Sequence, residues 1–321
     1  MARHFQMRRK RARSAAYALW ALPLFFCTAG CSRNSSSVEA QAVATFSISY
    51  IASWGTKGSD PGQLSQPTDI ATDSLGNVYL ADAGTLFIDK FTWDGHPLLS
   101  FGQPSLKDPQ EIAVDSGGAI YLTDSGRGCT YVFFPEGDHT HELRLKTRPS
   151  DEDLLGVAVG EDGRIHVLDS DAGRVYTYNP NYRLLRNWQP AANAPNARVR
   201  ARGIAVGPDG LVYLIDPLGN HILKFSTEGQ FQSLVDATAD GVSRKLSDQF
   251  AVGLGYIFAM DADGRMLHVW TADGRPKLDI DLAPELGQGN RSAPSLAISP
   301  RKELLVLDRP DARVLRYRLN F

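Results

Sequence analysis

The sequence predicts an all-β protein, a six-bladed β-propeller of four-stranded antiparallel blades whose ring is closed by the N-terminal strand joining the last blade. Three observations predict it. Six segments end in aspartate, "NVYLAD", "AIYLTD", "RIHVLD", "LVYLID", "YIFAMD" and "LLVLD", with spacings of 42, 45, 47, 45 and 47 residues between the aspartates. Ahead of each stands a second short segment centred on alanine: "DIATD", "EIAVD", "GVAVG", "GIAVG", "FAVG" and "LAIS". The chain also has one strand too few at its end and one too many at its start. Repeats of this length, with several short strands and turn signals in each, are the mark of propeller blades.

The elements of a blade follow in order. The alanine segment is the first strand, placed where blades converge on the axis and only a methyl group fits. Those alanines are Ala71, Ala113, Ala158, Ala205, Ala251 and Ala297. The aspartate segment is the second strand, and Tyr79, Tyr121, His166, Tyr213 and Phe258 share one position in it. A third strand follows, apolar at its start and aromatic near its end: "IDKF", "YVFF", "VYTY", "ILKF", "LHVW" and "VLRY". Turns such as "WDGH", "STEG" and "TADG" then open the fourth strand, as hairpin chemistry with glycine requires. The sixth repeat runs through "RVLRYRL" and stops at Phe321 without a fourth strand. The N-terminal "FSISYIASWG" alternates like a half-buried strand, and its "ASWG" matches the fourth-strand ending "LSFG" at 99 to 102. It is therefore expected to complete the sixth blade and leave no open edge in the ring.

"PDGLVYLIDPLGNHILKFSTEG", residues 208 to 229 with the Asn220-His221 pair, and "GNVYLADAGTLFIDKFTWDG" resemble NHL repeats, and residues 45 to 321 as a whole are similar to NHL six-bladed propellers. The resemblance implies the fold and leaves activity open, since such propellers include binding scaffolds, lyases and esterase-like enzymes.

The first thirty residues read as an export signal. Arg3, Arg8, Arg9, Lys10, Arg11 and Arg13 precede the apolar run "AAYALWALPLFF", which is too short to span a bilayer comfortably. It ends at "TAGC", which resembles a bacterial lipoprotein cleavage box with Thr28 in place of the usual Leu. The resemblance implies cleavage before Cys31 and lipidation of that cysteine; an ordinary signal peptide cut near Ala29 is the alternative. Residues 31 to 44 are small and polar and form a tether. Ser32 favours an outer-membrane lipoprotein facing the periplasm if the host is Gram-negative. Loss of residues 1 to 30 takes away six cations and no acids, moving the formal charge from -2 to -8 and excluding the clustered positive charge that nucleic acid demands. With Cys27 removed and Cys31 lipidated, Cys129 stands alone and is expected to be a buried apolar residue.

Asp82, Asp124, Asp169, Asp216, Asp261 and Asp308 are expected to cap turns, accepting N–H bonds from the reversal that Gly84, Gly126, Gly173 and Gly219 make. His166 and His221 belong to the repeat and read as packing residues. His139 and His141 in "HTHEL" point one way on an outer strand and read as solvated edge residues, lacking a third zinc ligand.

Strand direction sorts the loops. Second-to-third turns and blade-to-blade connections share one face, which carries the long segments 56 to 67, 189 to 201, 237 to 248 and 283 to 294; tight turns occupy the other. Where the alanine strands begin on the long-loop face stand Asp69, Glu111, Gly156, Gly203, Gln249 and Ser295, with Arg202 and Asp248 just ahead of two of them. Asp69, Glu111, Arg202, Asp248 and Gln249 are the candidate ligand-binding rim of a central funnel. Arg198, Arg200 and Arg202 are expected to lie near the acidic "SDED" connection. No Gly-x-Ser-x-Gly elbow, phosphate loop or Cys-x-x-Cys pair is present. The expected role is recognition of an envelope protein, peptide or glycan by a monomer held to the membrane through its lipid, with no cofactor. The alternative is a metal-dependent hydrolase or lyase using calcium or zinc at the channel.

Overall fold

The computed structural model describes residues 46–102, 104–144, 154–194, 199–242, 244–286 and 292–321. The signal segment, the tether with Cys31, the "SDED" connection and Arg198 lie outside the described residues.

The strands form six four-stranded antiparallel sheets. Blade one holds β2 (Pro67–Thr72), β3 (Val78–Asp82), β4 (Phe87–Phe91) and β5 (Pro97–Phe101). Blade two holds β6 (Pro109–Val114), β7 (Ile120–Asp124), β8 (Cys129–Phe133) and β9 (His139–Arg144). Blade three holds β10 (Leu154–Val159), β11 (Ile165–Asp169), β12 (Arg174–Tyr178) and β13 (Leu184–Trp188), and blade four β14 (Gly203–Val206), β15 (Val212–Asp216), β16 (His221–Phe225) and β17 (Phe231–Asp236). Blade five holds β18 (Leu246–Gly253), β19 (Tyr256–Asp261), β20 (Met266–Thr271) and β21 (Pro276–Asp281). Blade six is β22 (Ser295–Ser299), β23 (Glu303–Asp308) and β24 (Arg313–Asn320), completed by β1 (Ser47–Trp54). One-turn helices α1 (Pro190–Asn193) and α2 (Ala283–Leu286) interrupt two of the long connections.

The ring closure is an antiparallel pair from Ser47 opposite Asn320 to Trp54 opposite Val314, with a bulge between Tyr50 and Ala52. This β1 is half-buried, as its alternation suggests: Ile48, Ile51, Ala52 and Trp54 are partly covered and the rest exposed, and none is fully buried because it is the outermost strand of its blade. Its holding power lies at Trp54, whose ring sits 4.9 Å from that of Phe91 in the next blade. There Gly95, at φ +93°, gives the indole room; a Cβ on Gly95 would lie 2.4 Å from the Trp54 ring. Phe101 on Gly137 and Trp188 on Gly229 repeat the device at two other junctions, so β1 packs as an ordinary fourth strand does.

The core is divided among the blade junctions. Six buried clusters each draw side chains from two neighbouring blades; Ile70, Val78 and Leu80 of blade one, for example, pack on Leu305, Leu307 and Val314 of blade six. A blade is thus apolar on both faces and cannot stand alone. The shared second-strand position also faces a junction. Tyr79, Tyr121, His166, Tyr213 and Phe258 are all buried and stand opposite the alanines of the first strands. Cys129 is fully buried, and burial pushes its thiol up to about 11.

The repeated aspartates accept bonds from the turns that follow them, and three of them, Asp82, Asp124 and Asp216, also hold the connection that enters the blade. Asp82 accepts from Gly84 N and Thr85 N in the following turn, and also from Ser65 N and Gln66 N in the connection that enters the blade. Asp124 does the same with Arg127 N, Lys107 N and Asp108 N. Asp216 takes Gly219 N and Arg200 N. Asp169 accepts Ala172 N, Asp261 accepts Arg265 N and Met266 N, and Asp308 takes the Arg313 guanidinium. Gly173 reverses its turn as expected, while Gly84, Gly126 and Gly219 do not. In five blades the left-handed position is the fourth after the aspartate, held by Leu86, Gly128, Gly173, Asn220 and Ala312, and in blade five it is the third, Gly264. Gly84 is needed instead because a Cβ there would lie 2.6 Å from Ser65 Oγ in the incoming connection. Asp124→Ala strips acceptors from three backbone donors and is expected to cost about 1–3 kcal/mol. Urea unfolding checks this; an unchanged midpoint would contradict it.

Candidate functional site

The first strands β2, β6, β10, β14, β18 and β22 surround the axis and leave a channel cavity of about 220 Å³. The small side chains of Ala71, Ala113, Ala158, Ala205, Ala251 and Ala297 keep it open. The strands start on the face of the long connections, and two residues before the alanine four of them carry a polar side chain, Asp69, Glu111, Gln249 and Ser295, while blades three and four carry Gly156 and Gly203. All five rim residues read from the sequence meet there. Asp69, Glu111, Asp248 and Gln249 line the channel cavity; Glu111, Arg202, Asp248 and Gln249 also line an adjoining cavity of about 150 Å³ just outside it.

Each position follows from local structure. Asp69 lies on β2, and its carboxylate accepts Ile112 N from β6 of the next blade at 2.9 Å and the Ser295 hydroxyl from β22 of the preceding one. One side chain thus ties three blades together at the mouth. Glu111 occupies the equivalent place on β6, against Gly156 of β10, where a Cβ would lie 3.2 Å from Glu111 Oε2; glycine is what lets the carboxyl lean over the channel. Asp248 and Gln249 lie on β18, ahead of the point where regular pairing with β19 begins at Phe250, and Gln249 Nε2 donates to Asp248 Oδ1 at 3.0 Å. Arg202 directly precedes β14 and is exposed.

Arg309 belongs to the same mouth and was not among the rim residues read from the sequence. It follows the blade-six turn aspartate Asp308 and lines the outer cavity beside Glu111, Arg202 and Asp248. Its Nε is buried and has no hydrogen-bond partner among the described residues.

The electrostatics follow from crowding. Withdrawal from water raises the Asp69 carboxyl, opposed by the hydrogen bonds from Ser295 and Ile112 and by the charge of Arg309. The Glu111 carboxyl is pushed well above the usual range, first by desolvation and then by Asp69 and Asp248, and Arg309 offsets this in part. At the mouth carboxyl groups from three blades meet two guanidiniums, with Arg202 and Asp248 on its exposed side and Asp69 and Glu111 half-buried.

The histidines lie elsewhere. His166 is buried, its Nδ1 bonded to Thr177 Oγ1 at 3.1 Å, and burial lowers it to about 4, so it is neutral at physiological pH. His139 and His141 lie exposed on β9, edge-on to Tyr131 and beside Tyr182 respectively. Among the described residues no three His, Cys, Asp or Glu side chains are grouped to hold a metal ion, and no helix is long and apolar enough to cross a membrane.

No protein-family model and no curated protein matches the sequence. Solved structures do match the fold. A streptogramin B lyase superposes with a TM-score of 0.62 at 16% identity, over 86% of this chain and 98% of that one. Selenomethionine-substituted virginiamycin B lyase from Staphylococcus aureus gives a TM-score of 0.59 at 12% identity, over 85% and 99% of the two chains. A catalytically inactive variant of the S. aureus lyase with quinupristin gives 0.58 at 14%, over 85% and 88%. At these identities the likeness concerns architecture alone, and with the six closed sheets it establishes the chain as a six-bladed β-propeller.

Proposed function

We propose that this chain is an exported, lipid-anchored binding propeller of NHL-repeat type, which recognises a protein, peptide or glycan of the cell envelope through the face of its long connections. The observation that carries the reading is the convergence of Asp69, Glu111, Arg202, Asp248, Gln249 and Arg309 at one mouth on that face. Such a rigid ring with polar groups converging at its centre is how recognition sites are built on scaffolds of this kind. The entry of the chain supports an anchored arrangement. Phe46 packs against Tyr256 at 4.4 Å beside the tight β18–β19 turn, so the polypeptide joins the propeller on the face opposite the funnel. The protein works as a monomer without a cofactor.

The second reading is a metal-dependent hydrolase or lyase at the channel. It draws on the named lyases among the fold neighbours and on the carboxylate oxygens of Asp69, Glu111 and Asp248, the donor type calcium takes. An array of envelope-type peptides and glycans, probed with the labelled chain with and without calcium and zinc, separates the two. Retention of a restricted set of unaltered probes, insensitive to chelator, is expected. Mass-spectrometric detection of a cleaved or eliminated probe that requires metal would replace the binding reading with the enzymatic one.

A further inference from the structure

We infer that the funnel mouth is an anchor pocket for one basic group of a protein or peptide partner, a lysine or arginine side chain or a terminal amine, while the rest of the partner lies across the long-connection face. This deepens the binding reading above and rests on it.

Size is the first argument. Cavities of about 220 and 150 Å³ fall below the roughly 300–1,000 Å³ that enclose a whole small-molecule ligand. They admit one group of something larger. Below the rim the channel is lined by the alanines and then by Val114, Val159, Val206, Val252 and Ile298, so the polar groups are gathered at the mouth.

Charge is the second. Asp69, Glu111 and Asp248 bring three carboxyl groups from three blades, against two guanidiniums, Arg202 and Arg309. The surroundings of Glu111 favour its protonated form in the empty mouth, and a cation that enters beside it takes the place of that proton. Asp69 is fixed by its bonds to Ile112 and Ser295; Glu111, tied in the same way by a backbone hydrogen bond from Val157, stands in addition between like charges that Arg309 only partly offsets. An ammonium or guanidinium beside Glu111 relieves that repulsion through charge-assisted hydrogen bonds.

A third observation favours a peptide over a free cation. The buried, unpartnered Nε of Arg309 requires an acceptor. A basic residue carries backbone carbonyl groups on the same chain, so one peptide supplies both the missing cation and the missing acceptor. An alkaline-earth ion supplies neither a hydrogen-bond acceptor nor the reach to span side chains on three blades.

The test is calorimetric titration of the purified full chain at low ionic strength with acetyl-Gly-Lys-Gly amide, its arginine analogue, and its norleucine and glutamate analogues. The two basic peptides are expected to bind at least tenfold more tightly than the norleucine and glutamate peptides. Glu111→Gln is expected to weaken the basic peptides about tenfold with the melting temperature retained. Asp248→Asn, at an exposed position, provides the same readout should the first variant fold poorly. Equal affinity for the norleucine peptide, no measurable binding of any basic peptide, or competition by calcium chloride at these residues would overturn the inference. If array probes are retained by the wild-type chain but are indifferent to both substitutions, the anchor inference fails and the binding reading stands. An array that retains nothing defeats both.

Discussion

A chain lacking residues 46 to 55 is expected to lose its cooperative fold and aggregate. The deletion removes β1 and with it the outer strand of blade six, exposing the whole hydrogen-bonding edge of β24 from Arg313 to Asn320. It also takes Trp54 away from Phe91 and Gly95, the contact that seals blade six against blade one. The buried core of that seam, Ile70, Val78 and Leu80 on Leu305, Leu307 and Val314, loses the cover that Trp54 gives its edge, and the stack of Arg301 and Arg316 on Trp93 at 4.1 and 4.6 Å lies at the partly exposed Trp93 ring. Because each junction buries apolar faces that no blade buries by itself, opening one junction weakens its neighbours. The loss is of the order of the full 5–15 kcal/mol that ordinarily separates folded from unfolded domains. Size-exclusion chromatography and circular dichroism of the deleted chain check this, and adding a synthetic peptide of residues 46 to 55 during refolding should restore part of the soluble protein. A monodisperse deleted chain with an unchanged melting temperature would contradict the closure as the main source of ring stability.

The architecture was legible because the blade repeats a backbone need. One alanine per first strand and one aspartate per second strand keep two registers in phase, and counting strands in that phase places the N-terminal segment in blade six, where β1 lies. The funnel rim was legible for the same reason: Asp69, Glu111 and Gln249 occupy one register position, two before the alanine, and the ring brings that position together. What depends on contacts between repeats was not. Arg309 follows Asp308 in a turn whose aspartate already has a structural explanation, and nothing local says that this turn projects over the mouths of blades one and two. Its signal, visible afterwards, is an arginine where the other blades carry Ala83, Ser125, Ser170, Pro217 and Ala262. Gly173 was placed correctly, but three other reversing residues were misplaced because glycine suggests positive φ, whereas Gly84 answers to a close approach by a distant connection and Leu86 takes the left-handed conformation. Asp89, in "IDKF", reads as an ordinary polar strand residue, and only the folding of the 56–67 connection against it makes it a buried acid.

That acid should give the protein an unusual pH dependence. Asp89 on β4 is fully buried; Oδ1 accepts the Ser100 hydroxyl and Gly62 N, while Oδ2 has no hydrogen-bond partner among the described residues. Desolvation, helped by the nearby Asp82 charge and opposed by the Ser100 and Gly62 hydrogen bonds, pushes its carboxyl up to about 6 from an ordinary 3.8. A folded-state value raised for an acid means that folding favours the protonated form. Its stabilising contribution is therefore complete below about pH 4 and is lost as pH rises toward and through 6, changing little above that. At 1.36 kcal/mol per unit, a shift of this size amounts to roughly 3 kcal/mol between acid and neutral pH. Other carboxyls act in the opposite sense, Asp279 among them, since the Arg244 and His268 hydrogen bonds lower it against a desolvation penalty, so the signal of Asp89 lies in a difference. The stability of Asp89→Asn relative to the parent chain, measured by urea unfolding at pH 4 and pH 7.5, should move by about 3 kcal/mol in favour of the variant at the higher pH. A difference that stays flat across that interval would mean that Asp89 is hydrated in solution and that the 56–67 connection does not close over it.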